Sequence, residues 1–189
     1  MAVTDPLSEK IPYNLFREPL DYLFADHVRQ TSICALIYEM SSDLDLHSQG
    51  EQLPDAVSDK IKKIIHYLGM ELPLHIADEE LDILPSLRNR ALPEDGMDEI
   101  LKQLGAEHAI DEELSDDLSR VLISALDHPA SISEINVADI AGRFAEAHCG
   151  HMKWENAIFL PLARKRLTQE DLKVIGQKMA NRRNVPYPD

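Results

Sequence analysis

His151-Met152-Lys153-Trp154-Glu155-Asn156-Ala157-Ile158-Phe159-Leu160-Pro161-Leu162-Ala163-Arg164 has a counterpart 76 residues upstream, His75-Ile76-Ala77-Asp78-Glu79-Glu80-Leu81-Asp82-Ile83-Leu84-Pro85-Ser86-Leu87-Arg88. Both stretches read His-x3-Glu-x4-Leu-Pro-x2-Arg. Residues four apart on a helix share a face about one turn apart, so each copy aims an imidazole and a carboxylate the same way. His-x3-Glu alone is a weak signal, since four such pairs begin at His47, His75, His108 and His151. The shared extension to Leu-Pro and Arg at matching offsets marks an internal repeat.

The composition around this repeat favours helices. Glycine is sparse (7 of 189 residues) and aromatics are 5%, as suits an α protein more than a sheet protein. The length allows one domain with a sizeable core. A net charge of −15, from 34 acidic against 19 basic residues, repels phosphate backbones and anionic membranes, so neither nucleic acid nor a membrane is an expected partner. Cys34 and Cys149 form no CxxC pair and fall in different predicted helices, which points to a reducing compartment. Residues 1–10 lack the apolar core of a signal peptide. No run approaches the roughly 20 apolar residues of a membrane span, and a cytoplasmic location is expected.

In chain order, 1–14 reads as an irregular lead-in broken by Pro6 and Pro12. The spacing then predicts a helix over 15–46, with Leu20, Leu23 or Phe24, His27, Thr31, Cys34 and Tyr38 facing inward. Ser48-Gln49-Gly50 breaks it, and Pro54 opens a helix over 55–90 whose stripe is Ile61, Ile64 or Ile65, Leu68, Leu72, His75, Glu79 and Ile83. Pro73 is expected to kink or locally loosen its turn, and Pro85 and Pro161 to kink or end their helices. After a turn at Leu92-Gly96, a third helix over 97–127 carries Leu101, Leu104, His108, Asp111 or Glu112, Ser115, Leu118 and Leu122 inward. A fourth, over 134–166 from Ser133 and Glu134, carries Val137, Ile140, Phe144, His148, His151, Glu155, Ile158 and Leu162. Thr168 caps a short closing helix over 169–181, followed by a basic tail with Arg182 and Arg183. The expected fold is all-α: an up-down-up-down four-helix bundle over 15–167, with 168–189 as an extra C-terminal helix and tail. Helices 2 and 4 then run parallel, so the two repeats are related by a rough two-fold axis, and helices 1 and 3 each add a central histidine, His27 and His108.

Four histidines and two glutamates converging in a bundle core suit a pair of first-row transition metals. Burial without metal would demand extensive hydrogen bonding. No histidine here has a Glu three positions before it, which argues against the ferritin-like di-iron pattern. No exposed His-x-x-Lys-Gly stretch supports phosphotransfer.

The order His, His-x3-Glu, Glu-His, His-x3-Glu, with Leu-Pro after both repeats, resembles the hemerythrin HHE cation-binding family over about residues 15–167. The resemblance implies two iron ions with an oxo or hydroxo bridge. It makes His27, His75, His108 and His151 terminal ligands and Glu79 and Glu155 bridging carboxylates. Glu107 is similar to an acidic position in the family's iron-repair branch. Oxygen carriers of the family place two histidines four apart on the third helix, whereas Glu112 stands at that offset from His108; they also end on His-x4-Asp where this chain has His-x3-Glu. Of roughly twelve positions on two octahedral irons, about two are then left open. The expected partner is a small molecule (O2, NO or peroxide), bound or sensed, or else iron handled for storage or repair. Rival readings are a peroxidase-like or iron-donating enzyme, and a structural bundle holding zinc or no metal. Any sensing signal would leave through a protein partner or self-association. His148 and Glu112 are weaker ligand candidates, better read as an outer hydrogen-bond partner and a solvated acid. His47 reads as a loop residue, His66 as structural, His128 as a helix cap, and Cys34 as core filler.

Overall fold

The computed structural model describes residues 5–47, 52–129 and 136–188, and among these there is no strand. A 3-10 turn, Tyr13–Arg17, precedes α1 (Pro19–His47). The second rod, α2, spans 55–90 as Asp55–His66, Leu72–Asp78 and Leu84–Arg90 joined by π turns at Tyr67–Glu71 and Glu79–Ile83. Next come α3 (Met97–Asp127) and α4, the latter made of Val137–Trp154, a π turn at Glu155–Phe159, and Leu160–Arg166. The closing helix α5 is Gln169–Arg182. Cross-links fix alternating directions. Asp26 and Gln30 of α1 meet His75 and Tyr67 of α2, Glu80 of α2 meets His108 of α3, and Asp111 of α3 meets His148 of α4. Helix α4 returns beside α1, where Gln30 meets His148 and Leu20 meets Arg164. This is the expected up-down-up-down bundle.

Helix boundaries follow local chemistry. The Asn136 side chain accepts from the Asp139 N–H at the start of α4, and the break expected at Ser48-Gln49-Gly50 and the start expected at Ser133 and Glu134 lie outside the described residues. Thr168 and Asp171 form the capping box of α5. Gly96 takes a left-handed φ of 64° between the turn at Pro93–Asp95 and α3. His47 ends α1 as a helical residue, where a loop was expected.

Two inward stripes differ from expectation. On α1 one buried stripe runs through Leu20, Leu23, His27, Gln30, Cys34, Ile37, Ser41 and Leu44, with Tyr22, Asp26, Arg29, Ile33 and Met40 also buried beside it, while Phe24, Thr31 and Tyr38 are exposed. The sequence allows either course after His27; packing against α4 selects the one through Gln30. On α4 the stripe after Glu155 runs through Phe159 and Ala163, and Ile158 is exposed. The π turn adds one residue there and rotates everything beyond it by one position.

The prolines neither end nor sharply interrupt their rods. Pro73, Pro85 and Pro161 each follow a π turn by two residues, and in each case the N–H just before the proline reaches back five residues: Leu72 to Tyr67, Leu84 to Glu79, Leu160 to Glu155. A proline ring would press on the carbonyl four residues back in a regular helix; the wider turn relieves that contact.

The core is in two parts. One apolar cluster includes Ile33, Ile37, Ile61, Ile64, Leu118 and Phe144; the other includes Phe16, Leu23, Ile83, Leu87, Leu104 and Phe159. Between them lies a layer of buried polar side chains. Helix α5 closes the second cluster. A Cβ on Gly176 would lie 1.9 Å from the Phe16 carbonyl oxygen, so only glycine lets α5 lie against the opening turn. The arginines expected as a basic tail dock on α2: Arg183 grips Asp78 with both ends of its guanidinium, and Arg182 bridges Asp78 and Asp82. Burial raises Asp78 from its ordinary value even though both guanidiniums oppose this.

Because Asp78 is fully buried, Arg183→Ala should lower the unfolding free energy by about 3 kcal/mol in denaturant titrations. An Asp78→Asn, Arg183→Ala double variant should recover part of that loss, having no uncompensated buried charge.

Candidate metal centre

The six residues named from the sequence meet in the polar layer. His27, His75, His108, His151, Glu79 and Glu155 are each no more than 4% exposed. They form two donor groups, His27-His75-Glu79-Glu155 and Glu79-His108-His151-Glu155, and the donor atoms of each lie within 4.8 Å of one another. Both carboxylates belong to both groups. His27 Nε2 lies 3.7 Å from Glu79 Oε1 and 3.3 Å from Glu155 Oε2, and His75 Nε2 lies 3.7 Å from Glu79 Oε1. On the other side, His108 Nε2 is 3.2 Å from Glu79 Oε2 and His151 Nε2 is 3.0 Å from Glu155 Oε1.

The outer nitrogen of every ring is held by an acceptor on a neighbouring helix. His27 Nδ1 meets Asn156 Oδ1 at 2.8 Å, His75 Nδ1 meets Asp26 Oδ2 at 3.1 Å, His108 Nδ1 meets Glu80 Oε1 at 2.8 Å, and His151 Nδ1 meets Asp111 Oδ2 at 2.8 Å. An Nδ1–H donated outward leaves Nε2 with its lone pair facing the shared carboxylates, the tautomer a metal-binding imidazole needs. These four partners were not singled out as such from the sequence. A signal existed: Glu80 and Asn156 occupy the same place in the repeat, one residue after Glu79 and Glu155, and Asp26 adjoins His27.

The inward atoms are poorly satisfied. The Nε2 atoms of His27, His75 and His151, Oε1 of Glu79 and both carboxylate oxygens of Glu155 are buried without a hydrogen-bond partner. Stranding so many polar atoms around one space costs several kcal/mol. A cation among them would satisfy all of them together, so the donor set fits metal. The charges already lean that way. Burial would raise Glu79, but His75, His108 and His27 together hold it well below its ordinary value. Burial would likewise raise Asp26 and Asp111, but His75 holds the first, and His148 with His151 the second, at about 2. Conversely burial would lower His75 and His151, yet their carboxylate neighbours raise them to about 9 and about 11.

His148 stands outside the two shared groups. Its Nδ1 is 2.6 Å from Asp111 Oδ2 and its Nε2 is 2.6 Å from Gln30 Oε1. The Gln30 amide nitrogen donates to Asp26 Oδ2 at 2.9 Å, and its oxygen also accepts from Tyr67 at 2.8 Å. A buried chain, Asp26-Gln30-His148-Asp111, therefore joins the acceptor behind His75 to the acceptor behind His151. His148 with Asp111 and His151 also forms a third cluster with metal-ligand spacing, but His148 and His151 both turn Nδ1 onto the same oxygen of Asp111. Glu107 Oε2 is buried, unpartnered and 3.9 Å from His151 Nε2. Glu112 is exposed and joins none of the clusters among the described residues, and His66 is an exposed residue 4.0 Å from Glu71. Arg29 donates to Asp26 Oδ1, to the carbonyls of Pro6 and Glu9, and to Glu71. The lead-in is thereby tied to the wall of the site.

No curated protein and no solved structure matches the chain. A family model does: the hemerythrin HHE cation binding domain matches residues 18–171, and the chain belongs to that family.

Asp111→Ala should weaken metal binding by about 10–100-fold in competition titrations while helicity is kept. In chain stripped of metal, raised histidines contribute stability fully below their ordinary 6.5, and that share is lost as pH climbs through about 9 for His75 and about 11 for His151. The depressed Asp26 and Asp111 contribute stability above 3.8 that is lost as pH falls through about 2. Denaturant midpoints from pH 3 to pH 11 should fall at both ends, and metal loading should flatten the alkaline limb.

Proposed function

Starting from membership of this family, we propose that the chain holds two non-haem iron ions and uses them to bind or sense a small oxidant (O2, NO or peroxide) or to handle iron. His27 and His75 would hold one ion and His108 and His151 the other, with Glu79 and Glu155, common to both donor groups, available to both. The observation that supports this reading most is the sharing: two clusters of buried donors have both carboxylates in common, as expected where two cations sit side by side. When bound, such an ion pair supplies redox equivalents and open positions for a small ligand.

The chain's own residues set the conditions. Asn156, Asp26, Glu80 and Asp111 hold each ring with Nε2 turned inward. The apolar clusters above and below exclude bulk water, which strengthens every charge interaction inside. A cleft of about 520 Å³ between α2 and α3 is lined by Leu68, Leu72, Ile76, Glu80 and His108 among others, and it brings solvent to the His108 corner of the site. Glu107, with one oxygen unpartnered beside His151, is placed to take or give a proton there. Its position, together with Glu80, Glu112 and Asp116 in the lining of the cleft, supports the iron-handling branch of the reading.

Metal analysis and absorption spectra on protein purified without chelator or histidine tag should show about two irons per chain. His75→Ala and Glu155→Ala together should abolish the metal-dependent near-ultraviolet bands. Titration with peroxide or NO should perturb the spectrum if the oxidant branch holds; transfer of iron to a metal-free acceptor without such perturbation would mark the handling branch. Protein that stays metal-free after anaerobic Fe(II) loading, with helicity unchanged, would overturn the di-iron reading.

A further inference from the structure

Cys34 and Cys149 lie 115 positions apart in sequence and read from it as unrelated residues on different helices. The fold brings them together. Cys34 is on the α1 face that meets α4, four residues beyond Gln30, and Cys149 follows His148, the residue Gln30 touches. Both are free thiols. They share a surface groove of about 480 Å³ whose other lining residues are Thr31, Ala35, Tyr38, Glu39, Ala145 and Glu146. Cys34 is buried at the groove floor and Cys149 is half-buried.

A cysteine used only as core filler has apolar neighbours on all sides and no solvent-facing sulfur partner. Cys34 belongs to the first apolar cluster and Cys149 packs against it, yet both also line the groove, where a small solute can reach them. We propose that Cys34 and Cys149 are a redox pair that closes into a disulfide between α1 and α4 when a peroxide reaches the groove.

The chemistry balances in two steps. The Cys149 sulfur attacks one peroxide oxygen, the O–O bond breaks, and the departing hydroxide takes the thiol proton as water, leaving Cys149 as a sulfenic acid. The Cys34 sulfur then attacks Cys149 Sγ; the S–S bond forms, the S–O bond breaks, and hydroxide leaves with the Cys34 proton as a second water. Two thiols lose two electrons and the peroxide gains them. The oxidant is external, so the reaction does not depend on what the metal centre holds. A thiol reductant reverses it.

The test is hydrogen peroxide in small excess over the purified full-length chain, followed by alkylation under denaturing conditions and peptide mapping by mass spectrometry. Both thiols should disappear together, a cross-linked peptide containing Cys34 and Cys149 should appear with the loss of two hydrogen masses, and dithiothreitol should restore both. In Cys34→Ala, Cys149 should stop at a sulfenic acid that a dimedone probe captures. The proposal is overturned if both thiols persist, if Cys149 proceeds to sulfinic acid while Cys34 stays reduced, or if the disulfide forms between chains.

Discussion

Two carboxylates, Glu79 and Glu155, sit fully buried in the middle of a helical bundle with four imidazole nitrogens turned toward them. Leaving such a group without compensation is among the more costly things a core can do, and the rest of the molecule is arranged around that demand. The apolar core is divided into two clusters so that a polar layer fits between them. Each half of the layer takes one helix bearing a His-x3-Glu repeat and one bearing a single histidine, which gives the site its approximate two-fold form.

The demand propagates outward. Inward-facing Nε2 atoms require outward-facing Nδ1–H groups, and these require acceptors on the adjacent helix. Asp26 and Asp111, which serve two of them, are themselves buried and need neighbours: Gln30 and Arg29 for the first, His148 for the second. Arg29 carries the chain of dependence to the carbonyls of Pro6 and Glu9. On the far side of α2, Asp78 and Asp82 flank Glu79 in sequence but face α5, where Arg182 and Arg183 meet them. The lead-in and the closing helix are thus both clamped to the residues that surround the site.

The π turns answer a local problem with a consequence for the centre. Two of the three begin at Glu79 and Glu155 themselves, and each is followed by Leu-Pro. A proline so close to these carboxylates would break a regular helix; the extra residue of the π turn lets the rod continue and keeps Ile83 and Phe159 on the core face. The repeated Leu-Pro was legible in the sequence, but the wider turns that let the rods continue past it were not, because sequence periodicity assumes 3.6 residues per turn throughout. The same assumption misplaced Ile158 on the inward stripe of α4.

What the sequence determined by itself was whatever is encoded in local spacing: the helices, their capping at Thr168, the bundle class, and a repeat that aims His75 with Glu79 and His151 with Glu155 along one face of each rod. Those features depend on residues within a turn or two of each other, so a linear reading suffices. What only the tertiary structure decided depends on residues brought together from different helices. Asp26, Glu80, Asp111 and Asn156 are ordinary polar residues in the chain and become ring partners only across helix contacts. The stripe of α1 could run through Gln30 or Thr31 until α4 packed against it. Cys34 and Cys149 are separate residues until α1 and α4 lie antiparallel. A helix's own periodicity says which face is apolar; which residue of a neighbouring helix meets it is fixed only when the cores close.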